Sequence, residues 1–231
     1  MRKPLILALG LLVSFVSFAQ EKIDLGLNFN FAYPTSDHGF GSEDDPLFLP
    51  PGMAFGGSLE GNYWFSSNFS AGLEAGYLMF MDEETSAGDL LYTVNATAIP
   101  IMAKATVYLG RGVVKPYFEL GAGYSIYSQT QSVTLISPDG PVPVETSWDQ
   151  SGAIISPRLG LKIDFTDQLS MKINVQYNQM FNKIDGDKTV DVTIDGETME
   201  QTVPGLYANN VGYLGVNVGV TYTLFDYFGR F

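Results

Sequence analysis

The chain has no cysteine, one histidine and two tryptophans in its 231 residues. Without cysteine it has no disulfide, no thiol nucleophile and no thiolate metal site. Basic residues are also scarce, 12 Lys and Arg against 25 Asp and Glu, for a formal charge of −13. Binding of nucleic acid needs basic clusters to neutralise phosphates, so that class of partner is excluded. Beyond the N-terminus there is no long apolar run and no sustained spacing of three and four, so no membrane-spanning or amphipathic helix is expected.

The N-terminal segment reads as an export signal. Arg2 and Lys3 precede the short apolar run "LILALGLLVSFV", and Ser17 and Ala19 set a small-residue cleavage site before Gln20. The expected organisation is a cleaved signal peptide at 1–19 and one domain at 20–231.

What the chain has in abundance is alternation. In "IDLGLNFNFAY" (23–33) every odd residue is apolar, and every even one is small or polar. Successive strand side chains point to opposite faces, so this is a strand with one oily and one wet side. The pattern recurs at 55–65, 69–79, 99–109, 118–126, 155–165, 169–177 and 214–224, giving eight strands. The turns "SSN", "GRG" and "TDQ" are short, whereas the connections 34–52, 82–92, 128–150 and 182–210 are long. An antiparallel up-and-down meander places all short turns at one end and all long loops at the other, the layout of an outer-membrane barrel.

The composition of the wet face selects the side on which water lies. A soluble barrel would show repeated lysines there, but this chain shows Gly72, Gly76, Gly121, Gly123, Gly160, Gly215 and Gly219. Small residues suit a crowded lumen, and eight strands leave just enough room for side chains to fill it. The inward charges are nearly balanced, with Asp24, Glu60, Glu74, Glu119 and Asp164 against Lys104, Lys115, Arg158, Lys162 and Lys172. Buried charges are tolerated when paired. A lumenal ion-pair network of Glu60, Glu74, Lys104, Glu119, Arg158, Lys162 and Lys172 is therefore expected, centred on Lys104 and Arg158. The oily rows then meet lipid. Tyr33, Tyr63, Trp64, Phe65, Phe69, Tyr77, Tyr108, Phe165 and Tyr177, near strand ends, are expected to form aromatic girdles.

The segments "SFAQ", "AIPIMAKATVYL", "KPYFELGAGYSIY", "SPRLGLKIDF" and "VNVGVTYTLF" together resemble bacterial outer-membrane β-barrel families. The resemblance is to the small OmpA/OmpX-type barrels and the PorT-like outer membrane protein beta-barrel domain. It implies residence in the outer membrane of a Gram-negative bacterium, contact with lipid and lipopolysaccharide, and insertion by the barrel-assembly machinery through a terminal aromatic, Phe231 or Phe225. A closed barrel needs no second copy, so a monomer is expected. Some relatives of this class act on lipid A through a rim histidine. His38 in "TSDHG" lies beside Ser36 and Asp37, but adjacency in one loop does not make a triad converge, and no nucleophile motif accompanies it.

The long connections are acidic, with only Lys183 and Lys188 as bases. Asp185, Asp187 and Asp191, and Glu43, Asp44 and Asp45, are the candidate calcium ligands, although neither set has EF-hand spacing. No other cofactor is expected. Extended arms flank "PDGP" and the Asp195-Gly196 dipeptide, so 128–150 and 182–210 are expected to form protruding hairpins whose edges recruit a protein partner by strand addition. The expected role is structural or interactive and non-enzymatic. A narrow solute channel is the second reading, and a lipid-modifying enzyme the third.

Overall fold

The computed structural model describes residues 22–35, 52–87, 90–110, 112–137, 140–181, 184–194, 197–208 and 210–225. Every regular element among them is a β-strand: β1 (Lys22–Pro34), β2 (Ala54–Ser66), β3 (Phe69–Ala87), β4 (Leu90–Tyr108), β5 (Val114–Ser137), β6 (Gly140–Asp149), β7 (Gly152–Asp164), β8 (Leu169–Phe181), β9 (Ile184–Ile194), β10 (Glu197–Ala208) and β11 (Gly212–Phe225). The signal segment lies outside the described residues.

Strand alternation sorts residues strictly. On β1, Phe29 is 62% exposed while its neighbour Asn28 is 1% exposed. The same inversion, large apolar residues outside and amides or charges inside, holds along the middle of β2, β7, β8 and β11, while Trp64, Ile154, Met180 and Tyr213 near their ends turn inward. Hydrogen-bonded neighbours lead from β1 through β2, β3, β4, β5, β7, β8 and β11 and back to β1, and every pairing is antiparallel. In the circuit Leu27 faces Leu59 on one side and Val220 on the other. Gly110, with φ of 95°, supplies the left-handed residue that turns the chain after β4.

The remaining strands stand at the end opposite the short turns. Residues Ser128–Ser137 of β5 pair with Gly140–Asp149 of β6, and β9 pairs with β10, so both expected hairpins form. They also pair with each other, Val144–Ser147 of β6 against Asp191–Ile194 of β9. Within the connection 82–92, expected as a loop, residues 82–87 and 90–92 instead continue β3 and β4, with Glu83 opposite Val94 and Ala87 opposite Leu90. Acid-rich sequence reads as loop, yet it forms strand where its backbone groups find a ladder.

Gly123 marks an interior position with no room for a side chain. A Cβ there would overlap the Ile101 carbonyl oxygen and lie 2.7 Å from Met102 Cα. Those are backbone atoms of the paired strand and cannot step aside. Gly123→Val is expected to lower the unfolding free energy by about 1–3 kcal/mol, measured by urea titration in lipid vesicles.

Candidate functional site

The interior is built in layers along the circuit's axis. At mid-height, register places Glu60 of β2 directly opposite Glu74 of β3, and Glu119 of β5 opposite Arg158 of β7. Two adjacent carboxylates would repel, but Lys104 of β4 reaches both. It contacts Glu60, lies 3.2 Å from Glu74 and 3.6 Å from Glu119. The Arg158 guanidinium donates to both oxygens of Glu74 at 2.6 and 3.1 Å, and to Glu119 at 3.1 Å. Lys172 of β8 closes the group, 2.6 Å from Glu60. Three carboxylates thus meet three cations, all buried. Thr106 donates to Glu119, and Ser156 accepts from Arg158, satisfying further polar capacity. Isolated, each charge would cost several kcal/mol to bury; collected, they are tolerated.

Lys162 is not part of this group. It lies 3.0 Å from Asp24, which also accepts from Thr223 at 2.6 Å, near the short-turn end. Against both charge sets pack Trp64, Tyr108 and Tyr117, all buried, with Trp64 stacked on Tyr108 at 4.6 Å and Tyr108 at 5.6 Å from Tyr117. The Lys162 ammonium rests 4.7 Å from the Trp64 ring centre, a cation–π contact. Trp64 and Tyr108 are therefore interior residues and not girdle members. Position near a strand end suggested a girdle, but alternation decides the face: Tyr63 and Val107 point outward, so their neighbours point inward. Lys115 and Asp164 form a partly exposed pair at 2.7 Å on the same rim.

The opposite end of the lumen is apolar, which the sequence reading missed. Phe80 meets Tyr127 and Tyr213 edge-on, surrounded by Leu78, Ile154, Met180 and Val211. The available signal was the loss of alternation in "YLMFM" and "AII", where both faces become apolar. An amide wall completes the interior: Asn217 donates to Asn30 at 2.6 Å, and Asn28 and Asn30 donate to Ser58. The cavity bounded by Glu74, Arg158, Asn30, Gln176 and Tyr213 measures about 10 Å³. That is room for about one water molecule.

The outer surface changes character beyond the apolar rows. Two rows run across five strands on the outward face: Thr93, Ser132, Glu145, Thr193, Thr198, and then Asn95, Thr130, Ser147, Asp191, Glu200. Hydroxyls join neighbours, Thr130 to Ser147 at 3.0 Å and Thr193 to Thr198 at 2.8 Å. These rows contain carboxylates, hydroxyls and an amide, and no cation.

Asp185 and Asp187 lie on β9 with Asp191, which faces Glu200. Among the described residues no three metal-ligating side chains are brought together. Phe225 ends β11 opposite Lys22. Ser36, Asp37, His38, Glu43, Asp44, Asp45 and Phe231 lie outside the described residues.

A family model described as "Outer membrane protein beta-barrel domain" matches residues 5–223. Among solved structures, the chain is similar to the outer membrane protein OprG from Pseudomonas aeruginosa at 11% identity and a TM-score of 0.54, over 90% of this chain and 98% of that one. It is similar to a major outer membrane protein from Thermus thermophilus at 11% identity and a TM-score of 0.54, over 87% and 99% of the two chains. At these identities the likeness is one of fold. No curated protein matches the chain in sequence.

Proposed function

Because the chain belongs to the outer membrane protein beta-barrel domain family, we propose that it is an eight-stranded transmembrane barrel with a plugged lumen, acting through the sheet that projects from its outer end. The observation carrying this reading is the burial inversion around a closed pairing circuit, combined with seals at three heights. Open sheet edges are not tolerated in hydrocarbon, and a closed circuit has none. The strands supply more than the ~9–11 residues needed to cross a bilayer, and the excess in β3, β4 and β5 carries the projecting sheet. The short-turn end then faces the periplasm, the hairpins face outward in the Gram-negative outer membrane, and β11 with Phe225 presents the aromatic signal for assembly.

The acidic sheet is the interactive part of this reading, and no catalytic role belongs to it. Pairing of β6 with β9 consumes the two edges that face each other. Among the described strands, the outer side of β10 is left for strand addition by a protein partner. Replacing 184–208 by a tight turn is expected to leave insertion intact and to remove any partner that co-purifies in mild detergent.

Planar-bilayer recording tests the lumen. The expected result is no steady open-channel current, because the aromatic layer, the ion-pair layer and the apolar layer each close the bore. A steady current abolished by changing Lys104 or Arg158 would instead support the solute-channel reading.

A further inference from the structure

On the outer surface, β2, β3, β4 and β5 enclose a groove of about 630 Å³ at the level where the apolar rows end. A volume of that size lies within the range of small-molecule sites, roughly 300–1,000 Å³. One wall is Phe55, Met79 and Met81, each about half exposed; the other carries Asn95, Thr97 and Ser128. A single register row crosses the groove, with Phe55 opposite Met79, Met79 opposite Thr97 and Thr97 opposite Ser128. The row changes from apolar to hydroxyl within one strand spacing. A register shift between Phe80 and Glu83 bends β3 there, as bulges do.

We propose that this groove holds one membrane amphiphile with an uncharged, hydroxyl-bearing headgroup. The inference rests on the barrel reading, which puts the groove at the boundary of the hydrocarbon layer. An acyl chain fits the Phe55–Met79–Met81 wall, where two unbranched thioether side chains adapt to its shape. Hydroxyls of the head then exchange hydrogen bonds with Asn95, Thr97 and Ser128. Among the described residues, the lining offers hydroxyl and amide groups and no cation to hold a phosphate. Hydrogen bonding by Thr97 and Ser128 therefore selects a neutral, hydroxyl-rich glycolipid over an anionic phospholipid.

The test uses the full chain in vesicles of equal glucosyl-diacylglycerol and phosphatidylglycerol with matched acyl chains, followed by native mass spectrometry of the released protein. One retained glycolipid per chain is expected, enriched about fivefold over the phospholipid, the worth of roughly one net hydrogen bond. Thr97→Val combined with Ser128→Ala should bring the enrichment to about one with total retention unchanged, and Met79→Asp should abolish retention of both lipids. Equal retention of the two lipids, preference for the phospholipid, or an enrichment indifferent to Thr97→Val and Ser128→Ala would overturn the proposal. Resistance to alkaline extraction and heat-dependent gel mobility are read first on each sample. Failure there overturns the barrel and the groove together, whereas an inserted chain without lipid selectivity overturns the groove alone.

Discussion

Arg158→Ala is expected to lower the unfolding free energy by about 3–5 kcal/mol, read from urea titration in phospholipid vesicles. The guanidinium makes two contacts with Glu74 and one with Glu119. Truncation leaves both carboxylates buried, with Lys104 as the one remaining close cation among the described residues. The cost comes less from the lost bonds than from the uncompensated charge left behind. Pairing Arg158→Met with Glu74→Gln should recover part of the loss, because charge is removed from both sides at once. Lys115→Ala serves as the contrast. Lys115 pairs with Asp164 at the rim, where both side chains keep some contact with solvent, and solvent-accessible pairs contribute about 1 kcal/mol or less. Equal effects at Arg158 and Lys115 would mean that water reaches the mid-height layer and that the lumen is not sealed.

The second large effect is expected at Leu73, on the outward face of β3 between Gly61 and Ala103. Leu73→Arg should cost about 2–4 kcal/mol in vesicles, the depth-dependent penalty for a cation near mid-bilayer on the lipid face of a barrel. Thr198→Arg, on the projecting sheet, should stay within about 0.5 kcal/mol, as surface substitutions usually do. The difference between the two positions reports where hydrocarbon ends. In a barrel whose outside faced water, the two substitutions would be equally mild.

The parts of this architecture that were legible in the sequence are those set by local period and phase. Alternation on 23–33 identifies β1 and its inward Asn28 and Asn30, and the same phase rule sends Glu60, Glu74, Lys104, Glu119 and Arg158 to one side. Short turns fix neighbour register, so those charges meet at one height. The partner of each charge is less legible. Lys162 has the right phase and lies opposite Lys172 in register, yet its ammonium pairs with Asp24 while that of Lys172 pairs with Glu60. Where phase vanishes, so does the prediction: Leu78 and Phe80 lie in a run apolar on both faces, and their inward packing left no periodic trace. The β6–β9 pairing joins segments far apart in the chain, and neither segment's own pattern encodes its partner. The continuation of β3 through "DEETSA" was hidden by its charge, which marks exposure and not backbone conformation.

The orientation of the two faces is the claim on which the rest depends, and adjacent positions on β2 test it directly. Leu59 is 66% exposed and Ser58 is 4% exposed. The chain has no cysteine of its own, so Leu59→Cys and Ser58→Cys each give a unique site for a nitroxide. Collision with oxygen dissolved in the bilayer should be frequent at 59 and suppressed at 58. A label at 58 that meets the lipid-dissolved oxygen, with one at 59 shielded from it, would contradict the account.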